Sequence, residues 1–296
     1  MRFVGVTTSS SSIMTVFPVW SEILGLDADL VGLDLPLDAS TDQYRAAVEE
    51  IRADPACAGA LVTTHKIALY QAARDMFDEV DEFASGVGEI SSIASRDGHL
   101  RGAAKDPITA GLSLEEVLAD DHFAGSGHVL CLGAGGAGTA IGWYLAQRRD
   151  APPEMTFIDV DAGRLEHLRA VVGRHAGEVE LRTAMVAEDS TLALLEDLPP
   201  GSLVVNATGL GKDRPGSPVP ADVVFPERAV VWELNYRGTL EFLQQARAQE
   251  ADRALTVVDG WRYFIHGWSQ VIADVFAVPI EADVVARLAA AAEGVR

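Results

Sequence analysis

The feature that most constrains this chain is a run of glycines between two apolar segments. Residues 129–145 read VLCLGAGGAGTAIGWYL, in which Gly133, Gly135 and Gly138 have the spacing G-x-G-x-x-G. The apolar residues before the glycines favour a strand, and those after them favour a helix. A strand that turns through glycines into a helix predicts a βαβ unit and a parallel sheet.

The same spacing is typical of a loop that binds a dinucleotide. Gly133 permits a tight turn, Gly135 lets the backbone approach a pyrophosphate, and Gly138 lets the helix pack closely on the strand. The N-terminus of the helix then faces the phosphates. A glycine-rich turn without a ligand is the alternative. The predicted cofactor-binding loop consists of Gly133, Ala134, Gly135, Gly136, Ala137 and Gly138.

An acidic residue completes the cofactor prediction. Asp159 ends the next apolar strand, about twenty residues after the last glycine, where a carboxylate bonds the adenosine ribose hydroxyls. Because a carboxylate repels a 2′-phosphate, we expect NAD in preference to NADP. Arg164 could serve a phosphate instead, and Asp159 or Asp161 could cap the next helix. Asp161 suits capping better, so the two aspartates could divide these roles.

Strand-type and helix-type segments alternate along the chain, and the pattern restarts near Asp106. This alternation predicts an α/β architecture with mostly parallel sheets. In the first part, Asp97-Gly98 predicts a hairpin turn between two short strands. Residues 67–84 are predicted to be helical, with a break near Asp75, and the chain after Asp259 is predicted to be helical to its end.

Composition limits the partners and the compartment. The formal net charge of -21, from 44 acidic and 23 basic residues, argues against nucleic acid and anionic membranes as partners. Cys57 and Cys131 lie in apolar runs without metal-type spacing, as buried thiols in a reducing compartment do. The first residues lack the apolar stretch of a signal peptide, and no run approaches the ~18 residues of a membrane span. We expect a cytoplasmic protein that binds a small molecule and no metal, as a monomer or homodimer.

Two charged residues stand where apolar segments end and helices begin. Lys66 follows GALVTTH, and Asp106 follows RGAAK. Two such strand ends from one sheet could converge on a cleft between domains. A lysine desolvated in such a cleft can have its pKa lowered toward neutrality and can then accept a hydroxyl proton. The alternative is a solvated lysine at a helix start. His65 could join the proton relay, bond the substrate, or be satisfied by the backbone.

The order of these motifs resembles that of the shikimate/quinate dehydrogenase family over most of the chain. GALVTTHK stands where the family has G-x-N-V-T-x-P-x-K, VGEISSI where it has G-A-V-N-T, and RGAAKD where it has G-x-N-T-D. GAGGAG matches the cofactor turn, and VNATGLG resembles N-A-T-S-x-G. ELNYRGTLEFLQQA resembles D-x-x-Y-x-P-x-x-T-x-L-L-x-x-A.

The resemblance implies two domains. Residues 1–105 with 259–296 would form an N-terminal α/β substrate domain, and residues 106–258 a Rossmann-type, doubly wound dinucleotide-binding domain. Lys66 and Asp106 fall on the family's catalytic lysine and aspartate. Asn206, Ala207 and Thr208 fall on the strand end beside the nicotinamide. The implied substrate-binding residues are Ser9, Ser11, Thr63, Ser91, Tyr236, His266 and Gln270.

Departures from the family pattern concern the residues that would hold the substrate. Ala60 and Ala104 replace asparagines, and Ser91-Ser92 replaces an N-T pair. Because a site built to bond hydroxyls rejects analogues strongly, these changes predict the same reaction on a different or broader set of substrates. There are two alternatives. One is a catalytically silent NAD-binding sensor, and the other is a different two-domain dehydrogenase, such as one whose substrate is a folate.

Two further side-chain assignments are open from the sequence. Lys105 could hold a carboxylate, depress the pKa of the neighbouring aspartate, or point to solvent. Aromatic residues of the C-terminal helix are more often core than substrate platform. They are Trp261, Tyr263, Phe264 and Trp268.

Overall fold

The computed structural model describes residues 1–186, 190–212 and 214–295. The strands in these ranges are β1 Arg2–Gly5, β2 Val31–Asp34, β3 Gly59–Val62, β4 Glu79–Val80, β5 Ser92–Arg96, β6 His99–Ala103, β7 Val129–Leu132, β8 Glu154–Asp159, β9 Glu180–Met185, β10 Leu203–Asn206, β11 Val230–Glu233 and β12 Thr256–Val258. The α-helices are α1 Ile13–Leu24, α2 Thr41–Ala53, α3 Lys66–Ala73, α4 Glu82–Val87, α5 Asp106–Glu115, α6 Gly136–Leu145, α7 Ala162–Val172, α8 Ser190–Glu196, α9 Glu241–Arg247, α10 Trp261–Phe276 and α11 Ala282–Ala292.

The chain divides into two compact units. Unit 1 comprises Met1–Thr109 and Ile265–Arg296, and unit 2 comprises Ala110–Phe264. The chain therefore passes from one unit to the other within α5 and again within α10. None of the described helices is long and apolar enough to cross a membrane.

Unit 1 is built on a six-stranded mixed sheet in the order β2-β1-β3-β5-β6-β4. β1 pairs in parallel with β2 and β3, whereas β5 is antiparallel to both β3 and β6. Asp97 and Gly98 both have positive φ in the turn between β5 and β6, as the predicted hairpin requires. Because β5 is antiparallel to its two neighbours, β3 and β6 end at the edge of the sheet where β5 begins.

The break predicted near Asp75 is confirmed, but the helix predicted directly after it is wrong as far as residue 81. α3 ends at Ala73, a short 3-10 turn follows, and β4 and α4 occupy the rest of the segment. β4 exists because it pairs with β6, and α4 begins where the Asp81 side chain accepts a hydrogen bond from the Ala84 amide at 2.7 Å. A two-residue strand depends on its partner and leaves almost no periodic pattern of its own.

Unit 2 is built on a parallel sheet in the order β12-β11-β10-β7-β8-β9. Read from β9, this is the doubly wound order 3-2-1-4-5-6 of Rossmann-type domains. Both faces are buried: Val129 and Cys131 pack in one core cluster, and Leu130 and Leu132 pack in another. Burial on both faces explains the continuous apolar run of β7. β12, at one end of this sheet, lies in a segment that the sequence analysis left without a predicted strand.

Candidate functional site

The glycine loop has the geometry that a dinucleotide requires. Gly133 has φ +110°, and a Cβ there would lie 2.6 Å from the Ala207 carbonyl oxygen. A Cβ on Gly138 would collide with the Gly133 carbonyl. A Cβ on Gly135, in contrast, would meet no atom within 4 Å of it in the described residues. Gly135 is also the N-cap of α6 and offers no side chain to the first amides of the helix, which stay available to an anion.

Asp159 lies at the end of β8 and is buried against this loop. Its Oδ2 accepts a hydrogen bond from the Ala134 amide at 2.8 Å, and its Oδ1 accepts one from the Asp161 amide at 3.0 Å. Asp161 caps α7, as interpreted from the sequence, because its side chain accepts from the Gly163 amide at 2.8 Å. Arg164 approaches Asp159 at 3.8 Å. An open loop and helix start beside a buried carboxylate therefore fit a dinucleotide.

The ends of β10 and β11 are held together by buried polar groups. Asn206 donates to Glu233 Oε2 at 2.7 Å, and its Oδ1 accepts from the Thr208 amide at 3.0 Å. Burial raises the pKa of Glu233 to about 7, although the hydrogen bonds from Asn235 and Asn206 oppose the rise. The Asn206 side chain therefore shapes the turn that carries Ala207 and Thr208, and the sequence analysis missed the contribution of Glu233.

The Tyr236 ring lies in an aromatic cluster of unit 2. Its centroid is 4.5 Å from that of Phe264 and 5.6 Å from that of Trp261, and the Lys212 ammonium lies 5.9 Å from it. Trp261 and Phe264 are buried, as is Trp268 in unit 1. These three side chains are core residues, as interpreted from the sequence.

Lys66 and Asp106 meet in unit 1. Lys66 begins α3 after β3, and Asp106 begins α5 after β6, so both follow strands that end at the same edge of the sheet. Lys66 Nζ donates a short hydrogen bond to Asp106 Oδ2, and the two side chains are only 21% and 8% exposed. The pair is thus shielded from solvent, and Lys66 is not the solvated helix start of the alternative interpretation.

The expected lowering of the Lys66 pKa is wrong. Burial acts to lower the pKa of Lys66, but the charges of Asp106 and Glu89 and the hydrogen bond to Asp106 outweigh it, so its pKa is raised. Desolvation alone was the basis of the expectation from the sequence. The second carboxylate, Glu89, is 1% exposed and was missed. The feature that could have revealed it was a charged residue between Gly88 and the buried Ile90, just ahead of β5.

His65 serves the fold of unit 1. Its Nε2 lies 3.1 Å from the Leu35 carbonyl oxygen and its Nδ1 lies 2.9 Å from the Tyr44 hydroxyl. Because the carbonyl can only accept, Nε2 carries the proton and the tyrosine donates to Nδ1. Burial lowers the pKa of His65. Of the alternatives, the histidine satisfied within the protein is the one observed.

Lys105 points into a buried ion-pair network. Its Nζ lies 3.1 Å from Asp274 Oδ1, which also accepts from Arg101 at 2.6 Å, and Ser92 donates to Asp274 Oδ2 at 2.7 Å. Burial acts to raise the pKa of Asp274, but Lys105, Ser92 and Arg101 outweigh it and hold the pKa below its usual value. Lys105 therefore holds a carboxylate of the protein itself and does not point to solvent.

The hydroxyls predicted to hold the substrate differ in their surroundings. Thr63 is half-buried after β3, and a Cβ on Gly5 of β1 would lie 3.0 Å from its methyl group, so it adjoins the end of β1. Ser9 is exposed and Ser11 half-buried, in and after a 3-10 turn that follows β1. Ser91 is buried, and its hydroxyl accepts from the Lys105 amide at 2.7 Å.

Two further predicted substrate residues lie on α10. His266 is buried, and Gln270, one turn later, is half-buried. Both belong to unit 1, the unit of Lys66 and Asp106.

Comparison with known proteins identifies relatives, although no family model matches the chain. The chain is 30% identical over 232 residues to the shikimate dehydrogenase (NADP(+)) of Symbiobacterium thermophilum. The aligned region covers 77% of this chain and 74% of that protein. Shikimate 5-dehydrogenase from Thermus thermophilus, solved with NADP(H) and shikimate, has a TM-score of 0.72 at 25% identity over 99% of each chain. Quinate dehydrogenase from Corynebacterium glutamicum, solved with NAD, shares the fold, with a TM-score of 0.73 at 19% identity over 98% of this chain and 96% of that one. By this identity and coverage, the chain belongs to the shikimate dehydrogenase family of nicotinamide-dependent dehydrogenases.

Proposed function

We propose that the protein transfers a hydride between NAD(P) and the alcohol of a shikimate- or quinate-like cyclic hydroxy acid or polyol. The observation that carries the proposal is the buried hydrogen-bonded pair of Lys66 and Asp106, in a chain that also has a complete dinucleotide loop. Relatives named as shikimate and quinate dehydrogenases support the substrate class. When bound, the nicotinamide supplies or accepts the hydride.

Lys66 is the acid and base of this reaction, and Asp106 is its partner. In carbonyl reduction the hydride reaches the carbonyl carbon, and the Lys66 ammonium donates one proton to the oxygen, which gives the alcohol. In alcohol oxidation the hydroxyl proton passes to the neutral Lys66 amine. Because the charge and hydrogen bond of Asp106 act to raise the pKa of Lys66, the ammonium form predominates at neutral pH, and the resting pair is prepared for reduction.

The two units divide the binding work in this proposal. Unit 1 binds the substrate, with Thr63 and the serines after β1 as hydroxyl donors and His266 and Gln270 on α10. Unit 2 binds the cofactor on the loop from Gly133 to Gly138. Ala207 and Thr208, after β10, adjoin the nicotinamide.

NAD is the preferred cofactor in this proposal. The Asp159 carboxylate is held at the loop by the Ala134 amide, where it repels a 2′-phosphate and accepts from ribose hydroxyls. Val160, the next residue, is 74% exposed and offers no positive charge to a phosphate. Arg164 is the nearby cation, and its approach to Asp159 offsets part of its charge.

The substrate differs from shikimate or belongs to a broader set. Ala60 and Ala104 are fully buried at positions where the family has asparagines. Neither can bond a ring hydroxyl, so the pattern of hydroxyls that the site selects must change.

A substrate panel tests the proposal. The protein is incubated with NAD or NADP and with shikimate, quinate and related cyclitols, and with their keto forms in the reverse direction, while the absorbance of reduced nicotinamide is followed. We expect turnover of at least one member, and faster turnover with NAD. No turnover of any member with either cofactor would contradict the proposal.

A catalytically silent NAD-binding sensor is the second candidate, and the buried Ala60 and Ala104 favour it because they remove substrate contacts. Tight NAD binding with neither turnover nor competition by any member of the panel would support it.

A further inference from the structure

Glu89 is a buried carboxylate beside the Lys66–Asp106 pair. Its Oε1 finds no hydrogen-bond partner among residues 1–186, 190–212 and 214–295. Glu89 follows Gly88, which ends α4 with φ +71°, and it precedes Ile90, whose amide donates to the Lys66 carbonyl at 3.1 Å. The backbone around residue 89 is therefore attached to the start of α3. β5 also begins at the sheet edge where β3 and β6 end, which brings Glu89 to the same edge as the pair.

Among the described residues, Lys66 is the cation whose charge acts on Glu89, and it is also hydrogen-bonded to Asp106. Lys66, at the start of α3, donates its hydrogen bond to Asp106, at the start of α5. The charges that act on Glu89 are those of Asp106 and Lys66. The neighbouring Lys105 and Asp274 are paired with each other. Because a single buried cation stabilises one carboxylate and Asp106 holds its hydrogen bond, Glu89 is the group that keeps a proton.

The electrostatics agree with this arrangement. Burial raises the pKa of Glu89 to about 8, with the charge of Asp106 adding to the rise and that of Lys66 opposing it. Glu89 is then a neutral acid at neutral pH and a carboxylate in alkaline solution.

We propose that Glu89 is a positioning residue of the Lys66–Asp106 site: as a buried neutral acid it leaves the Lys66 proton held by Asp106 alone, and as a carboxylate it tightens that hold. The inference rests on the proposed function, in which Lys66 donates that proton to a carbonyl oxygen. With Glu89 neutral, Asp106 alone opposes the donation. With Glu89 ionised, two carboxylates oppose it, Lys66 becomes a weaker acid, and reduction slows.

The pH profile of carbonyl reduction tests this role. kcat/KM is measured from about pH 6 to about pH 10 for the wild type, for Glu89→Gln and for Glu82→Gln. Glutamine has the shape of the protonated acid and cannot ionise, whereas Glu82 is exposed on α4 and supplies the matched control. We expect a fall near pH 8 in the wild type and in Glu82→Gln. In Glu89→Gln the fall moves upward, and the ratio of kcat/KM at about pH 9.5 to that at about pH 7 rises at least ~5-fold.

Infrared difference spectroscopy measures the proton on Glu89 without a substrate. The wild type is expected to show the carbonyl stretch of a protonated carboxylic acid at neutral pH and to lose it as the pH rises through about 8. Glu89→Gln lacks this change, and Glu82→Gln retains it. Comparison of the variants separates the band from that of Glu233, which titrates near 7. Absence of every protonated-acid band from the wild type at neutral pH would be decisive without any variant.

The two measurements distinguish the possible failures. Absence of the acid band in the wild type at neutral pH overturns the inference, and so does turnover whose alkaline fall is the same in Glu89→Gln as in the wild type. Presence of the band without turnover of any substrate overturns the proposed function alone.

Discussion

At the scale of single residues, the Asp159 carboxylate has two tasks. It orders the glycine loop by accepting from the Ala134 amide, and it places a negative charge beside the proposed ribose site. Its second oxygen accepts from the Asp161 amide at 3.0 Å, so the side chain is fixed from two sides. A fixed carboxylate discriminates against a 2′-phosphate more strongly than a mobile one because it cannot turn away.

Replacement of this charge is expected to change the cofactor preference. Asp159→Asn keeps the size of the side chain but removes the repulsion of a 2′-phosphate, so the preference for NAD over NADP falls by about 10-fold, or about 1.4 kcal/mol. The two dissociation constants are measured by fluorescence quenching or calorimetry. Asp161→Asn is the matched control, because asparagine caps a helix as well as aspartate does. An unchanged ratio in Asp159→Asn would show that Asp159 does not select the cofactor.

Residues whose roles are local or follow from strand ends could be predicted from the sequence. The capping role of Asp161 involves only amides within the next turn of the chain. The meeting of Lys66 and Asp106 could be predicted because both residues follow strands. The raised pKa of Lys66 could not be predicted, because burial opposes the charge and hydrogen bond of Asp106 and the outcome depends on their arrangement in the fold. Glu89, which lies before β5, adds to the rise. The destination of Lys105 likewise depends on Asp274, 169 residues away in the chain.

At the scale of elements, the β7–loop–α6 unit separates the glycines that the fold needs from the one that a ligand would need. Gly133 and Gly138 lie so close to neighbouring backbone atoms that a Cβ at either position would collide with a carbonyl oxygen. Gly135 faces open space, so the fold alone gives no reason for glycine there. A ligand backbone or phosphate in that space would give one.

Alanine substitutions test this separation. Gly135→Ala is expected to leave the free energy of unfolding within ~1 kcal/mol of the wild type while lowering NAD affinity at least ~10-fold, because the new methyl group occupies the phosphate space. Gly138→Ala is expected to destabilise unit 2 by ~1–3 kcal/mol through the collision with the Gly133 carbonyl. Urea denaturation and NAD titration measure the two quantities. Normal NAD affinity in Gly135→Ala would contradict the assignment of the loop.

Elements with strong local patterns were predicted well. α2 has such a pattern at its start, where Ser40 and Gln43 form a reciprocal capping box. The β5–β6 hairpin follows from Asp97-Gly98. β4 and β12 were not predicted, because strands of two and three residues are defined by β6 and β11 beside them. The antiparallel β5 makes the first sheet mixed, which alternation of strands and helices did not indicate.

Across the part of the chain that the structure describes, burial raises the pKa of two carboxyl groups far above the usual value. Burial raises the pKa of Glu233 to about 7 and that of Glu89 to about 8, from a usual value of 4.5. A raised pKa means that the folded state binds the proton more tightly than the unfolded state does. The associated stability is complete below about pH 4.5 and is lost as the pH rises through the raised pKa.

The free energy of unfolding is therefore expected to fall as the pH rises, partly because Glu89 ionises in the wild type. Glu89→Gln lacks this ionisation. The free energy of unfolding is measured by urea denaturation at several values between about pH 6 and about pH 9. One linked proton contributes a slope of at most about 1.4 kcal/mol per pH unit, so the wild-type slope near pH 7 should be more negative than that of Glu89→Gln by up to this amount. Equal slopes in the two proteins would contradict the burial of a neutral acid.

The proton-transfer role of Lys66 is tested by the turnover number of Lys66→Met on the best substrate of the panel. Methionine approximates the length of the lysine stem but cannot exchange a proton. We predict that kcat falls by about 10²–10⁴-fold, while the dissociation constant for NAD, which binds to unit 2 in the proposal, stays within ~3-fold of the wild type. A kcat within ~3-fold of the wild type would contradict the assignment of Lys66 as the proton-transfer residue.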